Sequence, residues 1–310
     1  MKSSSGDDLV IRPVAGQGVE EALRLVFRRL GADQAEHYVT FVWNEISAGA
    51  MSAEGLLEAH RGGARVGAMW VQVQPGRSGL AWPPQCVPGE SGAAADRLMA
   101  AACRLLARRN VCLATALLPV VTPEDDAVLR RSGFEPLASL VYLLCQEPLF
   151  SRQQPAGTLH FEPYEETSEA RMTRVVEQTY LGTLDCPALN GLRRTEDVLA
   201  GYRATGMFAP ERWFFVRHED RDVGCLLLND HPREGNMELV YMGLIPSVRG
   251  NGWGKEMCAY AQWLTGRAGR QRLVLAVDAA NAPAIEMYAT AGFRAWERRT
   301  VYARTIEPEE

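Results

Sequence analysis

The stretch IPSVRGNGWGKEM, residues 245–257, sets Arg249, Gly250, Asn251, Gly252, Trp253, Gly254 and Lys255 between an apolar run, NMELVYMGLI, and a helix-like run, KEMCAYAQWLTGRAG. A turn that enters a helix through glycines leaves backbone N–H groups exposed. The positive end of the helix dipole adds to them, so the chemistry this turn suits is the holding of phosphate. Gly250, Gly252 and Gly254 permit close backbone approach, and Arg249 and Lys255 can pair with phosphate oxygens. The alternative is a tight strand-to-helix turn with no ligand. The spacing is neither the GxxxxGK[ST] of a P-loop nor a GxGxxG followed by an acidic strand.

The elements around this turn belong to a chain of ordinary soluble composition. Of its 310 residues 47% are hydrophobic and 23% charged, which is enough for a real core and, by length, for two domains. A formal net charge of −5 argues against a nucleic-acid partner, which would demand a basic stripe. The seven cysteines (Cys86, Cys103, Cys112, Cys145, Cys186, Cys225 and Cys258) contain no CxxC pair and point to a reducing, cytoplasmic setting. The start, MKSSSGDDLVIRP, has no apolar segment of the secretory kind, and no apolar run is long enough to span a membrane. His160, His218 and His231 show no metal spacing, so no metal is expected.

The chain repeats itself. NAPAIEMYATAGF (281–293) and TPEDDAVLRRSGF (122–134) both open on an N-cap residue, Asn281 or Thr122, with proline in the first turn, and both close on Gly-Phe. An apolar strand-like run precedes each copy (NVCLATALLP and RLVLAVDA), and another follows (LASLVYLLC and RTVYART). The Gly-Phe pairs are 159 residues apart, about half the chain, which reads as two copies of one α/β domain. The seam is expected in QEPLFSRQQPAGT, residues 146–158. In the second copy, helices are expected after Ser168 and Thr195 as caps. RWFFVRH and DVGCLLLND read as a hairpin, and NMELVYMGLI as a central strand.

An apolar strand, then Arg-x-x-Gly-x-Gly, then helix, strand and N-x-x-A-x-x-x-Y-x-x-x-GF resembles the GNAT superfamily of acyl-CoA N-acyltransferases. The resemblance covers about residues 157–305. It implies a fold of class α/β (α+β), with two tandem GNAT-like domains, each a mixed central sheet flanked by helices. It implies acetyl-CoA as cosubstrate: the backbone of Met242, Gly243 and Leu244 alongside the pantetheine arm, residues 249–255 at the pyrophosphate, Asn281 hydrogen-bonded to the pantetheine, and Tyr288 near the thioester sulfur. The tandem layout, the strand ELVYMGLIP and the C-terminal VYAR resemble the mycothiol synthases.

An amine attacks only when neutral, and alkylamines are protonated near neutral pH. Glu238, six residues before Leu244 on the same strand, is the candidate to take that proton, directly or through water. Strict alternation puts 238, 240, 242 and 244 on one face and 239, 241 and 243 on the other, and a β-bulge would change that phase. The competing role for Glu238 is an ion pair with an arginine on a neighbouring strand. A backbone N–H near Leu244 would stabilise the oxyanion, and Tyr288 would protonate the leaving thiolate unless it is only a core aromatic. The position five before Asn281, where some acetylases of protein N-termini carry glutamate, is Ala276. In the acceptor loop YLGTLDCPALNGLRR, Asp185 would hold an amine, and Asn190, Arg193 and Arg194 would hold hydroxyls or carboxylates. Cys186 reads as a packed small residue rather than a nucleophile.

In the first copy Thr122 stands for Asn281, Leu129 for Tyr288, and Glu90 or Ser91 for Arg249. Residues 1–147 are therefore expected to be a catalytically silent GNAT-like domain, and residues 155–310 the catalytic one. The expected function is transfer of acetyl from acetyl-CoA to a primary amine of a small molecule, by a cytoplasmic monomer or homodimer. The alternatives are a protein or peptide N-acetyltransferase and a non-catalytic acyl-CoA sensor.

Overall fold

The structure is a computed structural model and describes residues 8–16, 18–90 and 92–307. The chain forms two compact units. One comprises residues 1–136 and 301–310, the other residues 137–300.

In the first unit the elements run β1 (Leu9–Pro13), α1 (Gly18–Phe27), α2 (Ala32–Ser47), β2 (Leu56–Arg61), β3 (Ala64–Gln74), β4 (Ser78–Cys86), α3 (Gly92–Arg108), β5 (Leu113–Leu118) and α4 (Pro123–Arg131). The strands lie in the order β1-β2-β3-β4-β5 and are antiparallel except for the parallel pair β4/β5. One apolar core lies against α3 and α4 and another against α1 and α2, so the sheet is covered on both faces.

The second unit holds nearly all of β6 (Glu135–Gln146), then β7 (His160–Pro163), α5 (Glu169–Tyr180), α6 (Thr195–Arg203), β8 (Trp213–His218), β9 (Arg221–His231), β10 (Asn236–Leu244), α7 (Trp253–Arg267), β11 (Arg272–Asp278), α8 (Ala282–Thr290) and the start of β12 (Arg294–Thr305). Its strand order is β6-β11-β10-β9-β8-β7, with β10/β11 the parallel pair. One core packs α7 and α8 on the sheet, and a second packs α5 and α6 on the opposite face. The same two-layer plan in both units is the structural form of the sequence repeat.

The final strands depart from a simple tandem. β6, which follows the first Gly-Phe, pairs through Leu140–Gln146 with β11. The strand after the second Gly-Phe ends in the first unit, where the Tyr302 hydroxyl donates to Asp126 (2.6 Å) and the Ile306 amide to the Cys112 carbonyl (2.9 Å). The units thus divide at 136/137 and 300/301, whereas the sequence placed the seam within 146–158. A run such as LASLVYLLC specifies a strand but not the sheet it joins, because its alternation fits either.

Local signals set the helix ends. The Thr122 hydroxyl accepts from the Asp125 amide, and Asn281 Oδ1 accepts from the Ala284 amide (3.3 Å). Gly133 and Gly292 follow the two helices in the left-handed region, at φ +77° and +88°. Neither Ser168 nor Thr195 forms the expected cap bond: α5 starts from a short 3-10 turn, and α6 begins on Thr195, whose hydroxyl reaches Glu177 instead. Among the described residues no helix is long and apolar enough to cross a membrane.

Candidate active site

The site begins where β10 and β11 separate. Their parallel pairing covers Asn236–Glu238 against Arg272–Val274 and goes no further, while β10 stays paired with β9 to Leu244. The register of β10 on β9 shifts between Leu239 and Tyr241, which places a β-bulge at Val240. Strict alternation is thereby corrected. Met237 and Leu239 pack towards α7, as do Met242 and Leu244, while Tyr241 packs towards α5 and α6. The bulge also re-aims the strand at the point of separation.

A cleft of about 370 Å³ opens there. It is lined by β10 from Leu239 to Leu244, by Ala276 and Val277 of β11, and by Asn281, Met287 and Tyr288 at α8. Met242, Gly243 and Leu244 thus present to the cleft the strand edge that has lost its β11 partner. Asn281 spends Oδ1 on its own helix cap, leaving its amide nitrogen for a ligand. Tyr288 is 6% exposed, and its ring lies 5.4 Å from that of Phe293. Burial, with smaller contributions from Cys258 and Asp185, holds its phenol pKa well above the ordinary value, so the hydroxyl keeps its proton.

The glycine turn enters α7 as the sequence implies. Gly250 and Gly252 adopt φ +87° and +78°, and a Cβ at either would meet nothing within 4 Å. Glycine is there for backbone conformation and for an open approach. Gly252 is the N-cap of α7, Trp253 and Gly254 form its first turn, and Lys255 is exposed. Trp253 stacks near His218 at 4.6 Å, and Asn251 closes the turn onto the Val248 carbonyl.

Arg249 has partners that the sequence did not indicate. Its guanidinium donates to three backbone carbonyls, Leu244 (3.0 Å), Gly182 (2.8 Å) and Thr179 (2.8 Å). It pins the end of α5 and the start of the acceptor loop to the end of β10 with three of its five N–H donors, and it also lines the cleft. The sequence showed an arginine in a glycine turn, but not that carbonyls some 70 residues away would claim its donors.

A second cavity, about 900 Å³, lies towards α5, α6 and the loop from Leu181 to Arg194. Tyr180, Tyr202 and Tyr241 wall it. Tyr202 stacks on Tyr241 at 5.6 Å, Tyr180 and Tyr202 share a hydroxyl hydrogen bond of 3.0 Å, and the Tyr241 hydroxyl meets that of Thr179 at 2.8 Å. Burial raises all three phenols, Tyr180 to about 12. This tyrosine wall was missed in the sequence, because its members come from three separate elements with no shared spacing. Asn190 lines the cavity and donates weakly to the Tyr180 carbonyl (3.4 Å).

Asp185 lines both cavities. Its Oδ1 accepts from the Asp278 amide (2.7 Å), and in return Asp278 Oδ2 accepts from the Cys186 amide (3.1 Å). The two carboxylates therefore clasp the acceptor loop to the end of β11. Burial, then the Asp185 and Asp278 charges, push the Cys186 thiol up to about 12, which keeps it a thiol and excludes it as a nucleophile.

Glu238 lines neither cavity. It meets a histidine rather than the arginine weighed from sequence: His231 Nε2 and Glu238 Oε2 are 2.8 Å apart. That hydrogen bond raises the His231 pKa against the opposing effect of burial. The ion pair therefore contributes fully below the ordinary histidine value of about 6.5 and fades as pH rises through the raised one. Glu238→Gln is expected to cost about 1 kcal/mol at pH 6, or about 2–4 °C in Tm, with the difference shrinking towards pH 9. Melting curves across that range check it; a difference independent of pH would show that the pair does not titrate. Among the described residues no group of three or more His, Cys, Asp or Glu is arranged to hold a metal.

Residues 180–293, which contain most of both cavity walls, match the acetyltransferase (GNAT) family model. That segment of the second unit is similar to the GNAT acetyltransferases. Its fold aligns over 98% of its length with 98% of a GCN5-related N-acetyltransferase from Sphaerobacter thermophilus, at TM-score 0.63 and 15% identity. It also aligns over 95% of its length with 38% of a fungal multi-domain GH3 β-N-acetylglucosaminidase that contains a GCN5-related glucosamine N-acetyltransferase region (TM-score 0.57, 13% identity). In sequence, 96 residues are 32% identical to a mycothiol acetyltransferase of Streptomyces bingchenggensis strain BCW-1, a match spanning 31% of this chain and 31% of that relative.

Proposed function

We propose that the second unit transfers the acetyl group of acetyl-CoA directly to a primary amine of a small molecule. The observation that carries this is the meeting of two cavities at the split between β10 and β11. A cofactor-shaped cleft edged by Asn281 and Tyr288 shares Gly182, Thr183, Asp185, Tyr241 and Ala276 with the larger, tyrosine-walled cavity. A thioester threaded through the split from the first would face an amine held in the second. The N–H groups that open α7 suit the pyrophosphate, and Tyr288 is the acid for the departing thiolate. The acceptor cavity is walled by aromatics and by a clasped loop, which favours a compact acceptor over a protein chain. Free cysteines throughout the described residues suit a reducing cytoplasm.

The first unit is proposed to be silent. Leu129, fully buried, replaces Tyr288. Ahead of α3 stands Glu90, bound to Arg61 at 3.0 Å, where a pyrophosphate would be repelled; Ser91 lies outside the described residues.

Thiol release from acetyl-CoA, measured against aminoglycosides, polyamines, amino sugars, cysteinyl conjugates and a lysine peptide, tests the reading. Turnover of a small amine well above that of the peptide is expected, with one tight acetyl-CoA site per chain by calorimetry. Preferential acetylation of the peptide, or tight binding with no transfer, would replace it with the protein-directed or the sensor function.

A further inference from the structure

We propose that Asp185, on the acceptor loop, is the group that takes the proton from the acceptor amine. This rests on the acetyltransferase reading above and concerns the same site.

Three observations carry it. Asp185 is the one carboxylate among the described residues that lines both cavities, so it stands where thioester and amine must meet. Its Oδ1 is held by the Asp278 amide, which fixes the side chain, and its Oδ2 has no hydrogen-bond partner among the described residues. The other acidic groups are unsuited. Glu238 lines neither cavity and is bound to His231, Glu177 accepts from Thr195, and Glu196 pairs with Arg194.

The groups facing Asp185 are the Asp278 carboxylate of β11, the Cys186 thiol, and the phenols of Tyr180, Tyr202, Tyr241 and Tyr288, with the Arg193 charge reaching Tyr180. Burial raises the Asp185 pKa, the Asp278 amide lowers it, and the Asp278 charge raises it again. A raised carboxyl is a better base than an exposed one, while the protonated phenols and thiol around it cannot compete.

The step balances. Asp185 removes one proton from the ammonium group, and the freed lone pair forms the C–N bond at the thioester carbonyl while the π pair moves to oxygen. On collapse the C–S bond breaks with its electron pair on sulfur, which takes the Tyr288 proton. The nitrogen's surplus proton returns through water to the tyrosinate, and Asp185 releases its own proton to solvent. The sum is ammonium plus thioester giving amide, thiol and one proton.

The test compares two nucleophiles with acetyl-CoA: the fastest alkylamine of the panel, protonated at pH 7, and hydroxylamine, already neutral there. Asp185→Asn keeps the acceptor for the Asp278 amide and removes only the basic oxygen. It is expected to slow the alkylamine reaction about 10²–10⁴-fold and the hydroxylamine reaction less than about fivefold. Asp185→Glu should recover part of the loss, and the alkylamine rate of Asp185→Asn should climb with pH. Equal loss with both nucleophiles, or a rate like that of the parent, would overturn the assignment. Selective alkylamine loss in Glu238→Gln instead would move the role to Glu238. A parent protein that binds acetyl-CoA yet acetylates neither nucleophile would instead strike at the acetyltransferase reading itself.

Discussion

Gly252→Asp is expected to weaken acetyl-CoA binding about 10²–10³-fold while leaving the fold intact. Gly252 caps α7 at φ +78° with open space where a Cβ would stand. No atom of the protein resists the substitution. The strain of a left-handed aspartate is about 1 kcal/mol, and aspartate tolerates that region better than most residues. The main cost arises with the ligand: a carboxylate about 4 Å from a phosphate costs roughly 4 kcal/mol at the screening typical near a surface. Gly252→Asn separates charge from shape, because asparagine has the same outline and tolerates the same backbone. Calorimetry should rank the parent first, then Asn, with Asp far behind, and melting temperatures should stay within a few degrees. If Asn and Asp bind equally weakly, sterics rather than charge governs the turn. If both bind like the parent, the pyrophosphate lies elsewhere.

Tyr288→Phe should lower kcat about 10²–10⁴-fold and leave the acetyl-CoA dissociation constant nearly unchanged. The ring is almost fully buried against Phe293 and lines the cleft, and phenylalanine fills the same volume. Only the hydroxyl is lost. Burial holds that hydroxyl protonated at any physiological pH, the state an acid needs before the thiolate departs. Pre-steady-state measurement of thiol release is the proper readout, since slow product release would mask the effect in kcat. A parent-like chemical step would reduce Tyr288 to a packing residue. Loss of acetyl-CoA binding in parallel would assign it to the pocket wall instead.

Much of this site was legible because it depends on neighbours along the chain. A side-chain cap reaches three residues, as from Asn281 to the Ala284 amide and from Thr122 to the Asp125 amide, so both caps could be read directly. The left-handed turns at Gly250 and Gly252 need glycine whatever lies around them. The internal repeat and the order of strand, glycine turn, helix and strand are local patterns too, and it is the superfamily they resemble that implies roles for Asn281 and Tyr288.

What only the tertiary structure decided is where the long-range partners are. Arg249 reads as a residue of the glycine turn, and only the fold shows that it also donates to carbonyls at positions 179, 182 and 244. Glu238 reads as a base or as the ion-pair partner of an arginine, and only the fold shows that His231 meets one of its oxygens and that a bulge at Val240 changes the alternation. Asp185 reads from sequence as a loop residue that would hold an amine, and only the fold shows the Asp278 amide fixing it beside two cavities. The exchange of final strands lies beyond any pattern in LASLVYLLC or RTVYART. Cap bonds and glycine angles are settled by steric and hydrogen-bonding rules over a few residues, so the sequence by itself determined them. Which carboxylate lines both cavities, which carbonyls an arginine meets and which sheet a strand completes depend on contacts between residues tens to hundreds of positions apart, and only folding brings those together.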